Sequence, residues 1–154
     1  MERSIIKELR IVEQLLRDYL DSDSELGNEK YNMTQYHIIG YLLKHEGEKV
    51  CQKDLEKETG LKKASITGSI DNLVEKGSVI RVPSTDDKRK NYIYLTDKVL
   101  NRRKQLEERE NLFNDQIKGN IPEEDKEAFF RVIDQIKLNF DNLGENKTEN
   151  EQSE

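Results

Sequence analysis

The chain has 154 residues, 33% hydrophobic and 38% charged, with two prolines, one cysteine and a formal net charge of −6. A length of this order fits one domain, or two small ones sharing a core, and buries about 70% of the unfolded surface. The composition argues against a large α/β enzyme and for a helical soluble protein, and no stretch approaches the roughly 18 apolar residues of a membrane span.

Residues 4 to 20 place Ile5, Leu9, Val12, Leu16 and Tyr19 at alternating spacings of four and three, which predicts an amphipathic helix. The polar stretch Asp21 to Asn32, with Gly27, reads as a loop. Thr34 offers an N-cap for a second helix, on which Ile38, Ile39, Leu42 and Leu43 form the apolar stripe and Gly47 suits the C-cap. Val50 fits a very short strand, and Cys51 stands where an N-cap belongs, before a third helix over Gln52 to Thr59. Gly60-Leu61 ends that helix. A fourth runs from Lys62 or Lys63 to Lys76, with Ile66, Ile70, Leu73 and Val74 on one face and Gly77 just past its end. Two helices joined by a short glycine-containing turn are a helix-turn-helix signal.

The period then changes. Val79, Ile80 and Val82, a polar tip from Pro83 to Asn91, and Tyr92-Ile93-Tyr94-Leu95 predict a two-stranded hairpin. A tip of this length is long for a tight hairpin and is expected to be flexible unless bound. Thr96 or Asp97 caps a long helix with Val99, Leu106, Phe113 and Ile117, which ends at Gly119-Asn120. Pro122-Glu123-Glu124-Asp125 opens the last helix, its acids complementing the dipole, with Phe129, Val132, Ile133, Ile136 and Phe140 on one face. The acidic, polar residues from Glu145 onward have nothing to bury and read as disordered.

The negative net charge conceals a positive centre. From Lys62 to Lys90 there are seven Lys/Arg against four Asp/Glu, and clustering of one sign matters more for a partner than the balance of the whole chain. Residues 51 to 96 thus supply a helix thin enough for the major groove, small polar residues (Ser65, Thr67, Ser69) near its start, and phosphate-seeking cations alongside.

In order and spacing, Gln52-Lys53-Asp54-Leu55, Gly60-Leu61, Ile66-Thr67, Ile70-Asp71-Asn72-Leu73, Lys76-Gly77, Arg81, Asp87-Lys88-Arg89 and Leu95-Thr96 resemble the winged helix-turn-helix of the MarR (multiple antibiotic resistance regulator) family of bacterial transcription regulators. The resemblance runs from Val50 through Thr96, and the helices at 4–20, 97–118 and 123–142 fit the family's dimer-forming flanks. The fold it implies is mainly α, a winged helix-turn-helix with a small hairpin wing flanked by N- and C-terminal helices that form a dimerisation bundle. On that plan residues 4–46 are the N-terminal support, 48–96 the DNA-binding domain, 97–143 the C-terminal dimerisation helices and 144–154 a disordered acidic tail.

The function implied is that of a homodimeric regulator, a repressor, on pseudo-palindromic double-stranded DNA. The expected DNA contacts are Lys62, Lys63, Ala64, Ser65, Thr67 and Gly68 on the recognition helix (63–76), with Lys88, Arg89 and Lys90 on the wing (83–91). In the family pattern the acid matching Asp71 pairs with the wing arginine, here Arg89, and orients the wing. Two positions depart from the pattern: Lys62 stands at the usual Ser/Thr cap, and Gly68 at a place where relatives carry a larger side chain. Glycine inside a helix costs up to about 1 kcal/mol relative to alanine, and it permits close backbone approach. Tyr19, Tyr36, His37 and Tyr41 lie where the family's small-molecule pocket forms, which suits an amphipathic or phenolic effector.

Other chemistries find little support. Cys51 cannot form an internal disulfide, and as a cap replacement it reads as structural rather than as a redox switch. His37 and His45, eight residues apart, give no compact metal pair, so neither a metal nor another cofactor is expected. The chain has no glycine-rich phosphate loop, no nucleophile–histidine arrangement and no zinc spacing, and is not expected to be an enzyme. An N-terminus opening Glu2-Arg3 without an apolar signal core points to the cytoplasm. The alternative is a winged-helix adaptor that docks on protein without specific DNA binding; steep salt dependence separates the two.

Overall fold

The computed structural model of the chain describes residues 2–22 and 31–152. In chain order it consists of α1 (Ile5–Ser22), α2 (Met33–Lys44), α3 (Gln52–Thr59), α4 (Lys63–Glu75), β1 (Val79–Pro83), β2 (Asn91–Leu95), α5 (Asp97–Leu100), α6 (Arg103–Lys118) and α7 (Glu123–Gln152). Among the described residues it is a mainly helical fold with one antiparallel two-stranded hairpin. Of the loop expected between Asp21 and Asn32, residues 23–30 lie outside the described residues. No described helix is long and apolar enough to cross a membrane.

The buried apolar residues among those described all fall between Tyr31 and Val99. They are Ile38, Ile39, Leu42 and Leu43 from α2, Leu55 from α3, Ile66, Ile70 and Leu73 from α4, and Val79 and Ile93 from the hairpin, with Tyr31, Val50 and Val99 closing the edges. Each fully buried Ile or Leu contributes about 1.5–3 kcal/mol relative to exposure. This segment therefore has a core of its own.

The hairpin pairs Val79 with Leu95, Arg81 with Ile93 and Pro83 with Asn91. Val50 joins it, its carbonyl accepting from the Ile93 N–H (2.8 Å), and Cys51 forms an isolated bridge with Tyr92. The short strand expected at Val50 is realised as this single attachment. Gly77 (φ +71°) turns the chain from α4 into β1, where the Ser78 N–H reaches the Leu73 carbonyl (2.9 Å), a helix ending that favours glycine at the left-handed position.

Four local expectations are corrected. The N-cap of α2 is Asn32, not Thr34: the Asn32 Oδ1 accepts from the Gln35 N–H (2.9 Å) and the Gln35 Oε1 accepts from the Asn32 N–H (3.0 Å), a reciprocal capping box. The helix expected from Asp97 to Lys118 is two helices. At the break the Asn101 N–H still reaches the Asp97 carbonyl (2.8 Å), but the Arg102 N–H turns to the Val99 carbonyl only three residues back (2.9 Å). Such tightened bonds end an α-helix, while Val99 is fixed in the core and Arg103 reaches back to the Leu43 carbonyl (2.6 Å) and pairs with Glu46.

The third correction is the tip, which is closed by its own hydrogen bonds rather than being a loose loop. The Ser84 Oγ accepts from the Asp86 and Asp87 N–H groups (3.2 Å each), the Asp87 Oδ1 accepts from the Arg89 N–H (3.0 Å), and Ser84 and Lys90 join across the tip at 2.9 Å. The fourth is the expected disordered tail at 144–154: α7 continues to Gln152, and residues 153–154 lie outside the described residues. Once a helix is nucleated each further residue adds a bond at little cost, and the Thr148 hydroxyl donates to the Gly144 carbonyl (3.1 Å).

Outside the core segment the amphipathic helices are uncovered. Ile5, Ile6, Leu9, Val12, Leu15 and Tyr19 of α1 are exposed, as are Phe129, Phe130, Val132, Leu138, Phe140 and Leu143 of α7. The chain divides between Lys104 and Gln105 into two compact units.

The cap at Asn32 generates a direct prediction. Asn32→Ala removes one half of the reciprocal box and should lower the unfolding free energy by about 1 kcal/mol, measured by urea titration. A variant as stable as the parent would show that the box contributes nothing.

Candidate nucleic-acid interface

The turn before α4 is built for an abrupt change of direction. Gly60 sits in the left-handed region (φ +68°) and its N–H closes on the Glu56 carbonyl at 2.9 Å, and the Thr59 hydroxyl donates to the Leu55 carbonyl (2.8 Å). Lys62 is the N-cap of α4 and provides no side-chain cap. The N-terminal N–H groups of α4 are thus left without the usual serine or threonine oxygen.

Ile66, Ile70 and Leu73 fix the inner face of α4 in the core with no exposed surface. On one flank the Gln52 Nε2 donates to the Thr67 Oγ1 (2.7 Å), and Arg81 of β1 pairs with Asp71 while approaching the Thr67 carbonyl (3.5 Å). On the other flank the Gln35 Nε2 donates to the Asn72 Oδ1 (2.6 Å). Lys76 lies beside Gln35 and over the Tyr31 ring, 5.2 Å from its centroid, and its partial burial draws its pKa below the ordinary lysine value.

What remains is the outer face. Ala64, Gly68 and Glu75 lie opposite the buried line and are exposed, with Lys62, Lys63 and Ser65 exposed at its start. A Cβ placed on Gly68 would meet nothing within 4 Å, so no contact inside the fold requires glycine there. Ala64 and Gly68 make a low crest along which another surface can approach the helix backbone.

The expected residues are distributed as follows. Lys62, Lys63, Ala64, Ser65, Thr67 and Gly68 occupy the start and the outer and wing-facing sides of α4, Thr67 being half-buried by its bond to Gln52. Lys88, Arg89 and Lys90 are exposed on the tip, and no hydrogen bond or ion pair engages their side chains among the described residues. The expected pairing of Asp71 with Arg89 is not formed; Asp71 pairs with Arg81. The reason is position. Arg81 follows α4 by one short turn and lies on the strand beside it, whereas Arg89 stands beyond the far end of that strand. The sequence signal for Arg81 was a charged residue between Ile80 and Val82 in an otherwise apolar strand. Asn72 and Gln35 were missed because their bond joins residues far apart in the chain.

The α2 candidates pack against different neighbours. Tyr36 packs edge-on against Tyr31 (centroids 5.6 Å apart), Tyr41 lies against His45 (4.2 Å), and exposed His37 faces Glu58 of α3 (3.4 Å). Burial, then the neighbouring Tyr31, raises the Tyr36 pKa; desolvation, then nearby carboxylates led by Asp54, raises that of Tyr41. Tyr19 is exposed on α1. Cys51 does cap α3, but through its surroundings: the Asp54 Oδ2 accepts from both the Cys51 N–H (2.9 Å) and its thiol (3.2 Å). A serine hydroxyl can make the same bond.

A helix fixed on three sides and bare on the fourth, with a basic hairpin beside it, is the arrangement of a winged helix-turn-helix, and residues 31–90 match the sequence model of the MarR family. Over those residues the chain is similar in sequence to the MarR family. Solved structures extend the likeness to the fold of nearly the whole chain. MepR of S. aureus in complex with DNA is 18% identical, covering 90% of this chain and 99% of its own, with a TM-score of 0.79. The PcaV regulator of Streptomyces coelicolor with its natural ligand is 18% identical over 89% of this chain and 97% of its own, at a TM-score of 0.73. The regulator MarR from Oenococcus oeni is 20% identical, covering 88% and 99%, at 0.72. No curated protein matches. The fold is that of MarR-family transcription regulators.

The geometry predicts that Asp71 and Arg81 act as a unit. In a double-mutant cycle of Asp71→Ala and Arg81→Ala, read by thermal unfolding, the coupling should be about 0.5 kcal/mol or more. Additive losses would mean that the pair does not tie α4 to the hairpin.

Proposed function

We propose that the protein is a homodimeric transcription regulator, acting as a repressor, that binds pseudo-palindromic double-stranded DNA with α4 in the major groove and the 84–90 tip on the flanking backbone. The observation that carries this reading is the outer face of α4: uncovered, low at Ala64 and Gly68, cationic at its start, and held from both sides so that its approach angle is fixed. Ser65 and Thr67 are placed for base edges, Lys62, Lys63, Lys88 and Lys90 for phosphates, and Arg89 for the minor groove or its phosphates. Asp71 contributes by holding Arg81 and, through it, the wing strand. MepR bound to DNA supports the same docking by likeness of fold.

Dimerisation is supported by the apolar residues left open on α1 and α7, which a second copy would cover; we assign α1 and α5 through α7 to that role. A two-fold dimer places two recognition helices on half-sites about one helical turn apart. Tyr19, Tyr36, His37 and Tyr41 are read as the side of α1 and α2 toward which an amphipathic or phenolic effector would bind, by analogy with the ligand complex of PcaV. Such a ligand would act by changing the spacing of the two helices.

The test combines mass and salt. Sedimentation equilibrium should give a dimer at micromolar concentration, and anisotropy with labelled duplexes should show affinity falling steeply with salt, by about one unit of log–log slope per phosphate contact. Arg89→Ala should weaken binding by about 1 kcal/mol or more. A stable monomer overturns the dimer. Salt-insensitive association with a protein, and none with DNA, would establish the adaptor instead.

A further inference from the structure

Between the start of α2 and the flank of α4 lies an open groove of about 500 Å³, lined by Asn32, Gln35, Ser65, Ser69, Asn72 and Lys76 among others, none of them acidic. Its hydrogen bonds run in one direction. The Asn32 Oδ1 accepts from the Gln35 backbone N–H and the Gln35 Oε1 from the Asn32 backbone N–H. A backbone N–H can only donate, so the orientation of both side-chain amides is settled. Gln35 must therefore extend its NH₂ away from the cap, and it donates to the Asn72 Oδ1 at 2.6 Å. Gln35 is 2% exposed, so the middle of this relay is buried while Asn32 and Asn72 at its ends are exposed.

The consequence is a groove whose amide oxygens are turned inward and whose donors are turned out. Asn32 and Asn72 each have the carbonyl oxygen engaged and the NH₂ left for the groove. Ser69 adds a hydroxyl, and the Lys76 ammonium, itself donating to the Gln35 Oε1 at 3.4 Å, adds charge. Donors with a cation and no carboxylate suit an anionic oxygen acceptor.

We propose that this groove is an anion-accepting cleft that takes a phosphate group, with the Asn32 and Asn72 side-chain amides as paired donors and Gln35 as the residue that positions Asn72. This rests on the reading of α4 as the DNA-facing helix insofar as the phosphate comes from a nucleic-acid backbone; a free phosphate shares the chemistry. On the DNA reading the cleft holds one strand's backbone along the flank of α4 away from the wing. Asn72, with its oxygen occupied, cannot offer the donor–acceptor pair that reads adenine, and its contact carries no sequence information.

The test uses the isotope-labelled full chain, with the side-chain NH₂ signals of Asn32 and Asn72 followed by NMR in two titrations at low ionic strength, one with a mixed-sequence duplex and one with inorganic phosphate. Both signals should move in both titrations. Asn72→Asp keeps an acceptor for Gln35 but turns an oxygen outward, and should weaken duplex binding by about tenfold or more, equally across duplex sequences. The neutral Asn72→Ala should weaken it by about fivefold. In Gln35→Glu the phosphate response of Asn72 should vanish while that of Asn32 persists, a split that simple destabilisation does not produce. If both signals stay still in both titrations and Asn72→Ala binds duplex within about twofold of the parent, the cleft is overturned while DNA binding stands. If phosphate moves the signals and no duplex binds, the DNA reading fails and the cleft stands. A loss confined to particular sequences would mean a base contact and overturn the phosphate assignment.

Discussion

Everything outward-facing in this protein depends on how α4 is held. A helix that is to be read by, or to read, another surface has to be immobile without being covered. Here the immobility comes from Ile66, Ile70 and Leu73, all fully buried, and from polar ties on both flanks: Gln52 to Thr67 and Arg81 to Asp71 on one side, Gln35 to Asn72 on the other. Apolar burial supplies most of the energy and sets depth. The directional hydrogen bonds set rotation about the helix axis, which burial alone leaves loose.

The ties also connect α4 to its neighbours in a particular way. Arg81 belongs to β1, so the hairpin is referred to the same helix whose outer face it flanks. Gln35 belongs to the N-terminal turn of α2, whose cap fixes the direction of its amide. A change at either neighbour is thus felt at α4 as a change of orientation. That is a physical route by which an event at α1 or α2 would alter DNA affinity in the proposed regulator, with no need for α4 itself to unfold.

Much of this was legible in the sequence because it is local. The four-and-three spacing of α1, the stripe of α2, the turn at Gly60, the line Ile66–Ile70–Leu73 and the change of period at Val79 each depend on residues within one or two turns of each other, and each element formed as expected. The capping box at Asn32 was also local, with Gln35 three residues on, but Thr34 obscured it. The interruption at Asn101–Arg102 was not visible, because it follows from Val99 being fixed in the core and Arg103 reaching the Leu43 carbonyl, both of them distant contacts. The partner of Asp71 was misread for a related reason: pattern gives an acid and a choice of arginines, and only the path of β1 places Arg81 alongside. Gly68 stood out in the sequence as a helix interior glycine, but only the open space around it shows that the fold itself makes no demand for it.

The most direct measurement of the central claim is backbone hydrogen exchange, with and without duplex DNA, resolved along the chain. The account predicts that duplex slows exchange at the start of α4, over residues 62–69, and across the tip at 84–90. It predicts no comparable change over 129–143 of α7, which lies outside the proposed DNA contacts. Protection confined to α1 or α7, with 62–69 and 84–90 unaltered, would contradict the assignment of α4 and the wing as the DNA-facing surface.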